Sequence, residues 1–592
     1  MKKLITGNEA VARGAYEAGV TYASAYPGTP STEILENIGP YKEEIIAEWA
    51  PNEKVALESA FGASFAGARS LAAMKHVGVN VAADALMTMG YTGVRGGFVL
   101  VSADDPGCHS SQNEQDNRIF AKFAKVACIE PSDSQESKDF IKEAYKISEA
   151  FDVAVLFRMT TRVCHSKGLV AFEEREEREI IPYEKQIQKY IVAPAHAQRL
   201  HPIVEDKLKK LEAFSNETHL NVEEWHGSEI GIVTSGVAYT YAREVFKDTA
   251  NYLKIGFSNP LPMDKIRAFS QKVKTLYVIE ELEPFMEDQM KAAGIACIGK
   301  EKIPLTGELS PDVIEEAIFG KKPEFLSISE EKIVPRPPTL CAGCPHRGFF
   351  YALGKKKNVV VTGDIGCYTL GFADPLNAID SVHCMGASIS MGHGAQKAFK
   401  KHGVDKRIVS VIGDSTFLHT GVNSLLTVAY NGGNTVNVIL DNRITAMTGH
   451  QENPGTGFTL QGAPAKEVNL EELVKAIGIE HVKTINPLKL KEVDTALEEA
   501  FAFDGPSVII TRWPCALKRY SEADIEEFGP LENQCHVIED KCKGCRICTK
   551  TGCPAISFDN DKKKAFIDPN QCVGCMVCLQ SCPFNAIERV VE

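Results

Sequence analysis

The sequence predicts a multidomain α/β protein that ends in a small cysteine-rich module. Three observations carry that expectation. The chain has 592 residues, more than one hydrophobic core holds. Apolar runs of strand length alternate with helical patterns, as in residues 408–442. Eight of the 18 cysteines lie in the last 51 residues, in two repeats of related spacing.

Composition narrows the function classes. The chain is 44% hydrophobic and 24% charged, ordinary for a globular protein. A net charge of −13 argues against nucleic-acid binding, which needs a surplus of Lys and Arg. The start, MKKLITGNEA, lacks the apolar core of a secretory signal. The most apolar stretches, such as Gly97–Ser102 and Val359–Thr362, are strand-length and far short of the roughly 20 residues that span a bilayer. A cytoplasmic protein with no membrane partner is expected, and in that compartment many cysteines point to metal binding rather than disulfides.

In chain order, residues 21–33 (TYASAYPGTPSTE) read as a short strand, a Pro/Gly turn and a helix capped by Ser31 or Thr32. Thr29 in that turn is a candidate site residue, against plain turn chemistry. Residues 51–69 (PNEKVALESAFGASFAGAR) read as a small-residue helix opened by Glu53, whose alternative role is a first-turn carboxylate favoured by the helix dipole. Glu58 is expected to be structural or a neighbour of the site. The polar loop Asp104–Arg118 follows the strand FVLVSA, and either lines a pocket with His109 or Arg118 or is a solvated surface loop. GIVTSGVAYTYAREVF (231–246) and TLYVIEELEPF (275–285) alternate strand and helix patterns. A charged, proline-bearing stretch, Lys321–Pro338, then reads as a linker.

Residues 408–415 (IVSVIGDS) and 435–442 (TVNVILDN) read as two buried strands joined by a helix that stops at a glycine pair. Polar residues at the carboxyl ends of such strands are where open parallel sheets bind ligands. Asp414 and Asn442 are suited to Mg²⁺, which takes a few carboxylate or amide oxygens plus ligand phosphates. Gly413 and its neighbours let backbone approach a diphosphate.

Four further cysteines are placed near this unit: Cys341 and Cys344 at its start, Cys367 at the end of VVVTGDIGC, and Cys515 at the end of SVIITRWPC. Cys341 and Cys344 are also compatible with buried thiols or a redox pair. Cys108, Cys128, Cys164, Cys297, Cys384 and Cys535 read as buried small hydrophobes.

The terminal repeats are Cys542-x2-Cys545-x2-Cys548-x4-Cys553-Pro554 and Cys572-x2-Cys575-x2-Cys578-x3-Cys582-Pro583. Three thiolates of each run address one iron–sulfur cluster, and the remote cysteine before proline addresses the other. One [4Fe-4S] cluster then takes Cys542, Cys545, Cys548 and Cys582, and the second takes Cys572, Cys575, Cys578 and Cys553. A pair of zinc knuckles is the alternative, but zinc does not need this interlocked pattern. Each Cys-Pro is expected to begin a helix packed over the pair.

These motifs together resemble the thiamine-diphosphate-dependent 2-oxoacid:ferredoxin oxidoreductases, over essentially the whole chain. GDS…DN is similar to the GDG…N signature of thiamine-diphosphate enzymes, with Ser415 in place of the third glycine. TAMTGHQ (445–451) resembles the loop that follows it in this family, and the Pro-Gly-Thr29-Pro-Ser turn matches one whose Thr contacts cofactor and substrate. The resemblance implies Mg²⁺ held by Asp414, Asn442 and the carbonyl of Ile444, and Glu53 as the carboxylate against N1′ of the aminopyrimidine. It also implies a third cluster on Cys341, Cys344, Cys367 and Cys515.

The implied domains are a pyrimidine-binding domain (1–183), a transketolase C-terminal-like domain (184–330), a diphosphate-binding domain (335–530) and a two-cluster ferredoxin domain (533–592). Domain order and LCAGCPHR look most like the indolepyruvate-oxidising large subunits of the family. That implies aryl pyruvate and coenzyme A as substrates, ferredoxin as acceptor, and a smaller beta subunit in a heterotetramer. A phenylglyoxylate or other 2-oxoacid oxidoreductase, and an electron-transfer subunit without thiamine chemistry, are the rival readings.

Overall fold

The structure, a computed structural model, describes residues 1–322, 329, 333–334, 336–529 and 534–590. Most of the expected linker Lys321–Pro338, and the expected domain limits at 330, 335, 530 and 533, lie outside the described residues. The chain forms two compact units, Met1–Ser327 and Ile328–Glu592. Among the described residues no helix is long and apolar enough to cross a membrane.

The first unit is built on a seven-stranded sheet. Its spatial order is Phe257–Asn259, Ala127–Ile129, Val155–Thr160, Phe98–Asp104, Ser70–Lys75, Tyr22–Ala25 and Ile46–Trp49. All neighbours are parallel except Phe257–Asn259, which runs antiparallel to Ala127–Ile129. The central strands SLAAMK, FVLVSAD and VLFRMT are buried along their whole length, as in parallel sheets covered on both faces. From Tyr22–Ala25 the chain crosses to Ile46–Trp49 on one side and then adds Ser70–Lys75 on the other. That reversal opens a crevice at the carboxyl ends of Tyr22–Ala25 and Ser70–Lys75.

A four-stranded sheet in the same unit has the order Thr275–Ile279, Ile230–Ser235, Asn251–Ile255 and Asn221–Glu224, the last antiparallel. The expected strand–helix pair at 231–246 is the strand Ile230–Ser235 and the helix Gly236–Phe246. Between the two sheets lies a buried ionic network. Arg118 pairs with Asp116 at 2.5 Å and Glu280 at 2.8 Å, and Arg158 with Asp104 at 2.7 Å and Glu130 at 2.6 Å. Arg118 is therefore neither a pocket-lining nor a surface residue. Burial pulls its pKa down, Asp116 and Glu280 more than offset that, and the guanidinium stays charged.

The second unit contains a six-stranded, all-parallel sheet: Ser381–Val382, Val359–Gly363, Arg407–Gly413, Val436–Asp441, Ser507–Arg512 and His481–Ile485. Its strand order reverses between Val359–Gly363 and Arg407–Gly413, giving this sheet its own crevice. After Gly413 the chain runs helically from Asp414 to Tyr430, with a π-helical turn at Phe417–Gly421.

The cysteine-rich module holds two strand pairs, Cys535–Val537 with Ile587–Arg589 and Ile556–Asp559 with Lys564–Ile567. The helices expected after each Cys-Pro are thus strands. Ile556, Ile567 and Ile587 pack with the cysteine loops as one small apolar cluster, which a pleated pair reaches from one face. In the Thr29 turn, Ser31 occupies the N-cap position of the helix Thr32–Ile38, yet its hydroxyl donates back to the Gly28 carbonyl at 2.8 Å instead of capping.

Breaking the buried network has a predictable effect. Arg118→Met leaves Asp116 and Glu280 buried without their guanidinium and should cost about 3–5 kcal/mol. A lowered denaturant midpoint, with ordinary values for surface arginine variants, is the expected result.

Candidate functional site

The first unit gathers its candidate residues at the carboxyl ends of the sheet. Asn52 caps the helix Glu53–Phe65, accepting from the Val55 amide at 2.9 Å, and this places Glu53 in the first turn. Glu53 is 6% exposed and lies against Gly78, where an added Cβ would stand 2.6 Å from its Cγ. Gly78 is the third residue after Lys75, and Gly28 meets Lys75 from the other side, an added Cβ there standing 3.1 Å from Lys75 Cβ. The turns carrying Thr29 and Glu53 therefore both abut the segment 75–78. Thr29 is half-buried, and its carbonyl accepts from Ser110 Oγ at 3.3 Å. Glu58 is exposed and pairs with Lys54 one helical turn before it. His109 is exposed and pairs with Glu308 at 3.1 Å.

Lys75 was not singled out from the sequence. It ends the apolar strand SLAAMK and is 8% exposed, and its ammonium donates to the Ser110 carbonyl at 2.5 Å. No carboxylate pairs with it among the described residues, and burial lowers its pKa to about 8, with Asp105 acting against that shift. A lysine closing an otherwise apolar strand is the signal that could have found it.

The second unit gathers the diphosphate set and the cysteines. Asp414, Asn442 and Ile444 are all nearly buried. The Asn442 amide oxygen faces Asp414 Oδ1 at 3.3 Å and the Ile444 carbonyl at 2.7 Å; turned over, the amide would donate to both. With its oxygen turned inward, the amide would join those two oxygens as a set suited to a cation. Burial raises the pKa of Asp414 to about 8, and nearby Asp441 adds to the rise. Asn453, missed in the sequence, reaches Asp414 Oδ2 at 3.5 Å and Thr445 Oγ1 at 3.3 Å, and Thr445 donates to Ser415 Oγ at 3.0 Å. Gly413 is needed for packing, since a Cβ there would stand 2.6 Å from the Tyr368 ring. Asp364, also missed, accepts from the amides of Gly386 at 2.7 Å, Ile365 at 2.8 Å and Ser388 at 3.0 Å, fixing the loops at the crevice.

Cys341, Cys344, Cys367 and Cys515 line one cavity, together with His346, His450 and Asn442. Cys515 lies beyond the strand Ser507–Arg512, and its amide donates to the Asn442 carbonyl at 2.9 Å. Cys367 opens a 3-10 turn instead of ending a strand. Burial pushes the Cys344 thiol up to about 12 and that of Cys367 to about 11, so iron binding there would displace protons.

In the module, Cys542, Cys545, Cys548 and Cys582 line a second cavity. Burial pushes the Cys575 thiol up to about 11, and Cys553, Cys535 and Cys572 add to the rise. The four-residue spacing before Cys553 is taken up by a 3-10 turn, Cys548–Thr551, and Gly552 at φ 68°. Among the described residues no three His, Cys, Asp or Glu converge on a single metal ion. A four-iron cluster spreads its thiolates around a cube instead of a point.

The module is fastened to the six-stranded domain within this unit. Arg347 is fully buried, donates to the Thr551 carbonyl at 2.9 Å and the Cys341 carbonyl at 2.9 Å, and also bonds the Leu340 carbonyl. Gly343, at φ 72°, lies so close to the Cys572–Cys575 loop that a Cβ would stand 2.1 Å from Val573 Cγ2. Of the cysteines expected to be buried hydrophobes, Cys128, Cys164 and Cys535 are buried and Cys297 is half-buried. Cys108 and Cys384 are exposed on loops, where no packing claims them.

The sequence has three family matches: a thiamine-diphosphate-binding domain of pyruvate flavodoxin/ferredoxin oxidoreductases over 13–224, a C-terminal thiamine-pyrophosphate-binding domain over 364–511, and a 4Fe-4S binding domain over 565–588. It is 40% identical to an indolepyruvate oxidoreductase subunit IorA from Archaeoglobus fulgidus, covering 99% of this chain and 97% of the relative. It is 39% identical to the protein of that name from Thermococcus kodakarensis, covering 100% and 97%. A 2-oxoglutarate synthase subunit KorA from Methanothermobacter marburgensis is 25% identical over 54% of this chain and 98% of its own length.

The buried Lys75 gives a test by pH. Its folded pKa of about 8 lies below the 10.5 of a free lysine side chain, so between those values the unfolded chain binds the extra proton and stability rises with pH. The stability of the wild-type chain relative to Lys75→Met should therefore climb from pH 8 to 10.5 and be flat below 8, as read by denaturant midpoints at each pH.

Proposed function

As a member of the indolepyruvate oxidoreductase subunit IorA family, the chain is a 2-oxoacid:ferredoxin oxidoreductase that binds thiamine diphosphate and iron–sulfur clusters, and we propose that it oxidatively decarboxylates aryl pyruvates. The reaction is indolepyruvate, coenzyme A and two oxidised ferredoxins to indoleacetyl-CoA, CO₂, a proton and two reduced ferredoxins. The observation that carries this reading is the cavity shared by four cysteines and Asn442, because a cluster held there would lie beside the diphosphate loop.

Thiamine diphosphate, when bound, supplies the carbanion chemistry that releases CO₂ and yields an electron pair. Asp414, Asn442 and the Ile444 carbonyl would hold Mg²⁺ on its diphosphate, with Ser415 and Gly413 beside it, as the meeting of their oxygens supports. Glu53 would hold the proton at N1′ of the aminopyrimidine, and its burial in the first helical turn favours a fixed position. Thr29 would orient cofactor and substrate. Lys75, a buried ammonium with no paired carboxylate among the described residues, suits the carboxylate of the 2-oxoacid.

Cys341, Cys344, Cys367 and Cys515 would hold a proximal cluster. The set of Cys572, Cys575, Cys578 and Cys553 comes next, because Gly343 packs against its loop, and the set of Cys542, Cys545, Cys548 and Cys582 follows. We assign a pyrimidine-binding domain to 1–183, a transketolase C-terminal-like domain to 184–330, a diphosphate-binding domain to 335–530 and a two-cluster ferredoxin domain to 533–592. A smaller beta subunit, in a heterotetramer, would complete the enzyme in the cytoplasm.

Anaerobic addition of indolepyruvate with coenzyme A should bleach the iron–sulfur absorbance of the assembled enzyme, with little response to pyruvate or 2-oxoglutarate. A stronger response to either of those would overturn the substrate assignment. Glu53→Gln should lower turnover by about 10²–10⁴-fold while iron content stays at the wild-type level. Near-normal turnover would remove Glu53 from the mechanism.

A further inference from the structure

The cysteine-rich module carries its positive charge in one half. Residues 539–564 hold seven Lys and Arg against four Asp and Glu, a formal +3, on a chain whose net charge is −13. Residues 565–590 hold one against two, a formal −1. The basic half contains the loop Cys542–Cys548.

Tertiary contacts gather these cations around that loop. The strands Ile556–Asp559 and Lys564–Ile567 form a hairpin whose tip packs against it. Gly544, at φ 65°, lies so close that an added Cβ would stand 2.5 Å from the Lys563 carbonyl. Arg546 donates to Asn560 Oδ1 at 2.6 Å, and Lys564 donates to the Cys542 carbonyl at 2.7 Å. Lys543, Arg546 and Phe584 line the cavity of Cys542, Cys545, Cys548 and Cys582. Lys541, Lys543, Arg546 and Lys563 are exposed. Among the described residues, Lys562 alone of these cations pairs with a carboxylate, Glu539 at 3.8 Å.

Of the eight cysteines in the two repeats, only Cys545 is exposed, and Phe584 beside it is exposed too. The run Val573–Gln580 is turned the other way. Val573 meets Gly343, Val577 joins the apolar core of the six-stranded domain, and Gln580 bonds Leu488 and Leu490. Lysines scattered over a surface need no partner. Here unpaired charge, opposite in sign to that of the whole chain, is concentrated where a cluster ligand reaches solvent.

We propose that Lys541, Lys543, Arg546 and Lys563, around Cys545, form the docking surface for an acidic ferredoxin that takes electrons from the first cluster. Each encounter passes one electron: the cluster is oxidised by one, the ferredoxin reduced by one, and no bond or proton moves. Opposite charges steer and orient the encounter, and the Phe584 ring adds an apolar contact. The proposal deepens the ferredoxin-reducing reading and rests on Cys542, Cys545, Cys548 and Cys582 as cluster ligands.

The test uses the assembled enzyme, its clusters reduced photochemically so that no 2-oxoacid is involved, mixed anaerobically with a strongly acidic two-iron ferredoxin. The second-order rate constant of ferredoxin reduction should fall about tenfold as ionic strength rises from about 0.02 to about 0.2 M. Lys543→Glu/Lys563→Glu should lower it about 10–100-fold at low salt and remove most of its salt dependence. With a basic c-type cytochrome as acceptor the same variant should gain rate. With menadione, a neutral quinone, it should match wild type, which reports intact clusters. Lys400→Glu/Lys401→Glu makes the same change of net charge on the six-stranded domain and should stay within about twofold of wild type. Equal loss in that control, an unchanged rate in Lys543→Glu/Lys563→Glu, parallel loss with menadione, or release of the smaller subunit by the variant would each overturn the docking surface. Absence of four-iron clusters from the wild-type module would instead overturn the ligand reading, and failure of indolepyruvate to reduce the clusters would count against the substrate reading alone.

Discussion

Within the second unit, the arrangement of the redox residues depends on a single buried guanidinium. Arg347 bonds the carbonyls of Leu340 and Cys341 on one side and of Thr551 on the other. Carbonyls buried in such a place need donors, and a planar group with several N–H bonds can serve segments more than 200 residues apart in sequence. The CxxC loop and the cysteine-rich module are thereby held in one register. Gln580 adds to the contact, donating to the Leu488 carbonyl at 2.7 Å and accepting from the Leu490 amide at 3.0 Å.

Both units place their chemistry by the same topological rule. Where strand order reverses in a parallel sheet, the outgoing loops diverge and leave a crevice. In the first unit the reversal sets Gly28, in the turn that carries Thr29, against Lys75, with Glu53 against Gly78. In the second, the crevice lies between the loops after Val359–Gly363 and Arg407–Gly413, which carry Cys367 and Asp414, while Asn442 and Cys515 follow the next strands. The six-stranded sheet thus presents Cys367, Asp414, Asn442 and Cys515 at one edge.

What the sequence made legible was local. The two cysteine repeats, the Gly413-Asp414-Ser415 turn and the later Asn442 are short patterns whose spacing follows from loop and strand geometry, and the structure places the Asn442 side-chain amide against Asp414 and the Ile444 carbonyl. The strand–helix alternation in both halves was readable for the same reason. Features set by tertiary contact were not. Arg118 reads as a loop cation, and only the neighbouring sheet supplies the Glu280 that buries it. Cys535 reads as a small hydrophobe until Cys572, 37 residues later, is placed beside it. Asp364, Asn453 and Arg347 act through partners distant in sequence, so no local pattern marks them. The segments after Cys553-Pro554 and Cys582-Pro583 became strands because the cysteine loops offered an apolar face to cover.

The bare backbone at Gly343 has a consequence beyond packing. Electron tunnelling slows steeply as the edge-to-edge gap between two centres widens, and this residue sits in the wall between the loop of Cys341 and Cys344 and the loop of Cys572 and Cys575. Any side chain there would wedge the loops apart, since even one carbon has no room beside Val573. Were both loops to hold iron as proposed, a position that touches no substrate and binds no metal would set a conductance: the thickness of insulation between two stations would be fixed by a hydrogen atom where other residues carry carbon.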